Sequence, residues 1–593
     1  MKSIQRCKEV LMSAAATEPD INSRFIPVEY SIARMSLGEK PDEEGLYREL
    51  DTLYRKIDCS DFSICMILRM MNLFSGSSLM SDKLKDDIKK ELLRYDYWYD
   101  VENVRFPGST IMWTENHAFF FRSDQFLAGK LYKDDVFKTG KTGSEMAAEV
   151  RDEVLDWIDI KLKTGFCEWD STPYIPGNVQ SLLNLYDFAD DEEVSSKAKQ
   201  LLDVMMFSVA LHSFDGYPCS SEGRTYAKNL LKIEKNEMDS VKYILWNREG
   251  YHPSNAGVFL ATSKYEGFEK ADEAYCCTDT LESYEQQGFC VEDGPLFGRG
   301  YTTDHDLELY WQTMGYTHKL TLENNIKMGE KYNIQINHQL NSKYKYSLEH
   351  PEDDISIRGA CYLGRANTVL YKTKDFALSS VQDYRKGEEG FSQHVWQATL
   401  PGGTYVFTNN PGTLGFGDSR PDFWSGNSEH PKALQYKDVL ICIHKVSEKM
   451  KYRFSHAYFP TEEMDSVVCI GSYAFGRKGD SFISLYSSGG MKWGEGENAK
   501  NELVCDSPFN IWVCRPGSQS EYGSFENFVA EMLRSGVACE KDGITLQTEY
   551  GQLSAGWDSD FCLDGKVIPT RDFMRFENPF CRSEYMTGVY EYL

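Results

Sequence analysis

At 593 residues, 41% hydrophobic and 13% aromatic, the chain is too long for a single hydrophobic core and too apolar for disorder. Its 64 Lys and Arg against 91 Asp and Glu leave a formal charge of -27, a field that repels a phosphate backbone and argues against nucleic acid as a partner. The same field opposes capture of a long polyanion unless cations are concentrated inside a site.

The first ten residues carry Lys2, Arg6 and Lys8 but lack the roughly 7–15 apolar residues of a secretory signal. The 16 cysteines are scattered, with Cys276-Cys277 the one adjacent pair and no C-x-x-C spacing. Free buried thiols and a cytoplasmic location are therefore expected. The most apolar stretches, 62–74 and 201–214, are interrupted by Arg69 and Asp203 and fall short of the ~20 residues a bilayer needs. No membrane association is expected.

In chain order, residues 44–57 place Leu46, Leu50, Leu53 and Ile57 on one helical face, whereas 62–74 is apolar nearly all round. Further helices are expected over 82–93, 113–131, 142–163, 174–188 and 191–212. The fifth of these seven segments opens on a capping box of Thr142 and Glu145. Alternation of one-sided with all-round hydrophobicity suggests inner and outer rings of helices, and no fixed-period repeat points to a solenoid. After about residue 290 the texture shifts to short runs rich in Val, Ile, Tyr, Phe and Thr, including 368–371, 394–400, 404–408, 439–443, 481–486 and 510–514. A hairpin is expected at Pro401-Gly402-Gly403, and one helix, 524–533, interrupts the strands. The expected architecture is an α+β multidomain chain, an (α/α) toroid over 1–290 followed by an antiparallel β-sandwich over 291–593.

Three polar clusters could carry chemistry. Trp113-Thr114-Glu115-Asn116-His117 opens a helix, where free N–H groups and the positive dipole end favour an anionic or hydroxyl-rich ligand. Capping by Thr114 with a buried His117 is the plainer account. Glu168, Trp169 and Asp170, with Tyr174, lie in a loop between two helices and suit either sugar binding and acid/base work or capping. Arg224 and Tyr226 follow the helix ending at His212, where Arg224 could pair with a carboxylate and Tyr226 exchange a proton, unless the segment is a plain surface loop. In the strand-rich half, His394, Trp396 and Trp424 could close a cleft from the opposite side, although core packing accounts for such residues equally well. Lys138-Thr139-Gly140-Lys141-Thr142-Gly143 is no phosphate loop, because Asp135 stands where the first glycine belongs and no apolar strand precedes it. No metal signature or cofactor motif is present, and only a dispersed site involving His394 and another histidine is left open.

The arrangement resembles the toroid-plus-sandwich polysaccharide lyases of the heparinase II/III and alginate-lyase type, nearly end to end as architecture but through short motifs. The resemblance implies an enzyme that cleaves uronate-containing glycans by β-elimination. Asn116 and His117 would correspond to the Asn-His pair that neutralises the uronate carboxylate, Tyr174 or Tyr226 to the tyrosine that moves the proton, Arg224 to the charge partner and His394 to the sandwich contribution. Glu115 fits poorly, since a second negative charge opposes a uronate. That misfit supports a glycoside hydrolase in which Glu115 with Glu168 or Asp170 supplies acid and base. A non-catalytic carbohydrate-binding or scaffold protein, in which Trp169, Trp396 and Trp424 stack sugars, is the remaining alternative, Trp113 being a substrate-binding candidate beside the Asn116-His117 turn. Sugar, linkage, endo or exo mode and oligomeric state are not encoded legibly.

Overall fold

The computed structural model describes residues 1–99, 112–233, 235–332, 337–415, 417 and 420–593. Its first part is helical: α1 (Ile4–Ala15), α2 (Ile26–Ser36), α3 (Glu43–Tyr54), α4 (Ser60–Phe74), α5 (Asp82–Arg94), α6 (Glu115–Leu131), α7 (Gly143–Thr164), α8 (Ile175–Phe188), α9 (Glu192–Leu211), α10 (Ala227–Leu230), α11 (Met238–Trp246), α12 (Asn255–Thr262) and α13 (Glu269–Cys276). Burial follows the hydrophobic pattern. α5 buries only Leu84, Ile88 and Leu92, a single stripe, whereas α4 is buried from Ser60 to Met71 on nearly every side. α3 stops at Tyr54, so Ile57 falls beyond the helix whose face it was expected to extend. Thr142 and Glu145 do form the capping box that starts α7.

The all-round helices pack in a closed succession: α2 on α4, α4 on α6, α6 on α8, α8 on α12, and α12 back on α2. Further helices pack on these, α3 against α4, α7 against α6 and α9 against α8, α9 being buried without interruption from Val204 to Leu211. Arg69, the charge that interrupts the apolar run in α4, is fully buried and knits this succession together. Its guanidinium donates to Asn184 Oδ1 at 3.0 Å and Asp187 Oδ2 at 3.0 Å on α8, and to the Phe259 carbonyl at 2.8 Å on α12.

Leu281–Gln287 leaves the helices as a strand and pairs with Ala366–Lys372 within an antiparallel sheet of eleven described strands. A second sheet of six strands packs on it through Leu378, Trp396 and Ala398 on one side and Leu440, Cys442 and Trp512 on the other. Side chains alternate along the strand Val439–Lys445, so Val439, Ile441 and Ile443 face the opposite way, onto Ile544, Leu546 and Leu553 of a five-stranded sheet. The expected hairpin joins Trp396–Leu400 to Thr404–Asn409. Its Gly403 has φ +71°, and a Cβ there would come within 2.5 Å of the Tyr217 ring, so only glycine fits.

The strand texture expected directly after residue 290 begins instead at Ala366. Four helices come first: α14 (Asp304–Trp311), α15 (Leu322–Lys331), α16 (Asn337–Glu349) and α17 (Asp354–Arg358). Their short lengths and their many charged residues and Asn disguise the helical period, although Thr303 and Asp306 form a capping box ahead of α14. With Phe289, Tyr316, Tyr362 and Leu363, they form a satellite core against Ile160 and Cys167. The helix expected over 524–533 is present as α18 (Phe525–Arg534), preceded by a single helical turn at 519–522. Among the described residues, no helix is long and apolar enough to cross a membrane.

Buried charges bind the helices to the large sheet. His212, just past α9, lies 3.4 Å from Asp170 on one side and 3.4 Å from Glu285 of the strand Leu281–Gln287 on the other. Lys372 closes the end of α9 by donating to the carbonyls of Leu211 and Ser213 at 2.8 and 3.0 Å. Burial disfavours the charged imidazole, but the two carboxylates outweigh it and raise His212 to about 9. A raised histidine stabilises the fold fully below its unfolded pKa near 6.5 and loses that contribution as pH climbs through about 9. Urea unfolding should therefore show stability falling over that window. The His212→Gln variant, which leaves Asp170 and Glu285 buried with only the more distant Arg575 as cation, should lack this slope and lose about 3–5 kcal/mol at neutral pH.

Candidate functional site

The three polar clusters of the sequence converge where α6 begins. Thr114 caps α6, accepting the His117 N–H at 3.2 Å and donating its hydroxyl proton to Asn116 Oδ1 at 2.6 Å. Asn116 is itself buried, 1% exposed, with its carbonyl oxygen engaged by that hydroxyl. His117 is held by an aspartate that has no sequence relation to it. Its Nδ1 lies 2.6 Å from Asp61 Oδ2, and Phe62 packs on the ring with centroids 5.1 Å apart. Burial opposes the charged ring, but Asp61 prevails and raises His117 to about 10.

Glu115 is held inside the protein. It is 1% exposed, paired with the fully buried Lys161, and accepts the backbone N–H groups of Cys167 and Glu168 at 2.9 and 2.8 Å. It clamps the 167–174 loop onto α6. That loop is in turn stitched to the 220–226 segment: Gly223 N–H donates to the Trp169 carbonyl at 2.8 Å, Ser171 Oγ to the Arg224 carbonyl at 2.6 Å, and Thr172 N–H to Glu222 Oε2 at 2.9 Å. Glu222 and His394 exchange backbone hydrogen bonds at 2.9 and 2.8 Å, attaching the large sheet to the same place.

Arg224 occupies the centre. Its Nη1 donates to Glu168 Oε1 at 2.6 Å, its Nη2 to the Tyr226 hydroxyl at 3.2 Å, and its guanidinium lies 4.4 Å from the Tyr174 ring centroid. The two tyrosine hydroxyls are hydrogen-bonded to each other. Both tyrosines are half-buried, whereas Arg224 and Glu168 are buried. Glu168 is pushed upward by burial, drawn down by Arg224, raised by Glu115 and lowered by His117, so the clusters share one electrostatic neighbourhood. Burial also keeps Tyr174 well above the usual tyrosine range and therefore a neutral phenol. Tyr316, unforeseen because it follows one of the missed helices, donates to the Trp113 carbonyl and feels the charges of Arg224 and Glu168. The exposed Arg420 stacks on Tyr226 at 4.5 Å.

Several expected contributors lie elsewhere. Trp169 and Trp396 are wholly enclosed, Trp169 donating to Ser221 Oγ and Trp396 to Thr408 Oγ1, so neither offers a face to a sugar. Trp424 is 2% exposed and stacks on His456 at 4.6 Å. Trp113 remains half-buried, stacked on Tyr99 at 6.1 Å. Asp170, in the left-handed region at φ +47°, is consumed by Gln287, Ser208 and His212. His394 is buried, bonded to Gln397 at 3.1 Å, and desolvation lowers it to about 4, which leaves it a neutral structural residue. Its backbone reaches the site region while its ring packs edge-on to Phe407.

No family profile matches the chain, and no curated protein matches it either. Among solved structures, a heparinase III with methylated lysines is similar at 11% identity and TM-score 0.31, over 84% of this chain and 73% of that one. A second heparinase III structure matches at 12% identity and TM-score 0.29, over 93% and 90%. A Paenibacillus xanthan lyase matches at 11% identity and TM-score 0.34, over 94% of this chain but 61% of its own. These likenesses are shallow, and the chemistry has to be read from the site itself.

If Glu115 is a clamp, Glu115→Gln should lower stability by about 3–5 kcal/mol by stranding Lys161. Chemical denaturation reads this directly. A variant of unchanged stability with turnover abolished would return Glu115 to the chemistry.

Proposed function

We propose that the protein is a carbohydrate-active enzyme, a polysaccharide or oligosaccharide lyase that cleaves uronate-containing glycans by β-elimination. The accompanying architectural proposal is an (α/α) toroid joined near residue 290 to an antiparallel β-sandwich. The observation that carries the functional reading is the Tyr174–Tyr226 hydroxyl pair, bonded to the Arg224 guanidinium within the electrostatic reach of the Asn116–His117 turn.

In this reading the Asn116 amide and the cationic side of the site receive the uronate carboxylate. Neutralising that carboxylate acidifies the adjacent C5–H. Tyr226, acting as the phenolate whose negative charge the Arg224 guanidinium holds, takes the C5 proton and becomes the phenol. The C5–H electron pair becomes the C4–C5 double bond, the C4–O bond breaks, and Tyr174, held as a neutral phenol, protonates the departing oxygen. Proton exchange between the hydrogen-bonded hydroxyls then restores both tyrosines.

The hydrolase alternative asks for two carboxylates facing a glycosidic bond. Glu115, Glu168 and Asp170 are instead buried against Lys161, Arg224 and His212, which speaks against that role. Enclosure of Trp169, Trp396 and Trp424 speaks similarly against a binding protein that stacks sugars on them. A cytoplasmic location belongs to the same proposal, supported by 16 free cysteines.

A panel of uronate-containing and neutral oligosaccharides distinguishes the readings. The lyase should generate ultraviolet absorbance from a new double bond in step with reducing ends. Tyr226→Phe should lower kcat by about 10²–10⁴-fold with little change in KM. Reducing ends without absorbance, or an undiminished Tyr226→Phe enzyme, would sink the proposal.

A further inference from the structure

The turn between α3 and α4 brings two more reactive side chains against His117. One ligand-capable atom each from Asp58, Cys59 and His117 lies within 4.8 Å of the other two. Asp58 and Cys59 are half-buried and His117 is buried, so the group sits at the boundary between interior and solvent. The geometry points to a divalent metal site, and the ligand chemistry selects zinc. A thiolate, an imidazole and a carboxylate form a borderline-soft set that suits Zn²⁺ and not Mg²⁺ or Ca²⁺, which require oxygen ligands.

A second observation supports this assignment independently of proximity. His117 Nδ1 is engaged with Asp61 Oδ2 at 2.6 Å, which leaves Nε2 as the ligand atom. A carboxylate behind the distal ring nitrogen is the arrangement that orients metal-binding histidines and raises their basicity. Asp61 is fully buried and its other oxygen, Oδ1, has no hydrogen-bond partner. Its positive partner is the His117 ring, and a metal on the far nitrogen would keep positive charge on that side when the ring gives up its proton.

The backbone holds the first two ligands in place. Cys59 adopts φ +64°, uncommon for a residue with a side chain, and its side chain makes no capping bond to α4 although it occupies the cap position. The Asp58 carbonyl accepts Arg24 Nη1 at 2.9 Å, fixing the turn. Three protein ligands leave a fourth tetrahedral position open to water or to a ligand oxygen, the pattern of catalytic rather than structural zinc. With zinc bound, the positive charge facing an anionic ligand beside Asn116 resides on the metal rather than on the His117 ring. Sequence spacing gives no sign of the site, because Cys59 and His117 stand 58 positions apart.

Binding can be read without turnover, so this inference stands or falls separately from the lyase proposal. The full-length protein, stripped with chelator, is titrated with Co²⁺ and then with Zn²⁺. One equivalent of Co²⁺ should bind with a thiolate-to-cobalt charge-transfer band, and Zn²⁺ should displace it. Cys59→Ser, a near-isosteric change at a half-buried position, should abolish the band with circular dichroism unchanged. Asp61→Asn should weaken affinity by about 10–100-fold. Failure of the wild-type protein to take up Co²⁺ stoichiometrically overturns the inference, as does a charge-transfer band that survives in Cys59→Ser. Rapid alkylation of Cys59 by iodoacetamide in the absence of any cobalt binding would likewise overturn it, in favour of a thiolate–imidazolium pair.

Discussion

The geometry of the candidate site depends on one buried carboxylate. Glu115, in the first turn of α6, faces Lys161 of α7 and accepts two consecutive backbone N–H groups from the loop that follows α7. An ion pair with no exposure is stabilising only where its remaining lone pairs are satisfied, and the Cys167 and Glu168 amides satisfy them. The constraint propagates along the chain. Anchoring residue 168 places Glu168 against Arg224, Arg224 then holds Tyr226, and Tyr226 holds Tyr174. A chain of charge-assisted hydrogen bonds thus carries register from a helix terminus to a pair of phenols.

The net charge of -27 makes the internal arrangement of cations informative. Most basic groups near the site are already matched to a carboxylate: Lys161 to Glu115, Arg224 to Glu168, His212 to Asp170 and Glu285. A protein with an acidic field gains nothing from leaving such cations unpaired in the interior, since desolvation would exceed the benefit. What remains for an anionic ligand is partial: the further hydrogen-bonding capacity of the Arg224 guanidinium, the Asn116 amide and whatever charge sits at His117. A site built this way favours a small anion held by directed hydrogen bonds over a polymer drawn in by long-range attraction.

Much of the fold was legible because periodicity and capping are local. The one-sided pattern of α3 at Leu46, Leu50 and Leu53, the all-round burial of α4 and the Thr142 capping box follow from neighbours within a few residues. Helices α14 to α17 were not legible, because their lengths are short, charged residues and Asn interrupt their apolar positions, and they bury against a satellite core. The site was legible in its parts. Asn116, His117, Arg224, Tyr174 and Tyr226 stand out as residue types, but Asp61 and Tyr316 reach them only through packing of distant segments. The tryptophans misled for a related reason: Trp169 lies among polar residues in the chain yet ends between the loop and Tyr384, its ring centroid 4.9 Å from that ring. Sequence neighbours report the company a residue keeps along the chain and are silent on what folds over it.

Glu168 shows how the pieces constrain one another. One of its oxygens is held by Arg224, while the other is buried without a hydrogen-bond partner. An orphan carboxylate oxygen in the interior is expensive, and it persists only where a donor arrives from outside the protein or where proximity to positive charge offsets the loss. Arg224 lies on one side and His117 lowers the carboxyl from the other, so the second condition is met by any cation at His117, imidazolium or metal. The first condition is met by a ligand hydroxyl. A sugar whose carboxylate faces Asn116 could present a ring hydroxyl to Glu168 Oε2, and the same residue that fixes Arg224 would then read the substrate. Glu168→Gln keeps the shape and removes the charge, so it should loosen Arg224 and raise KM together; a variant whose KM alone is unchanged while stability falls would confine Glu168 to holding Arg224.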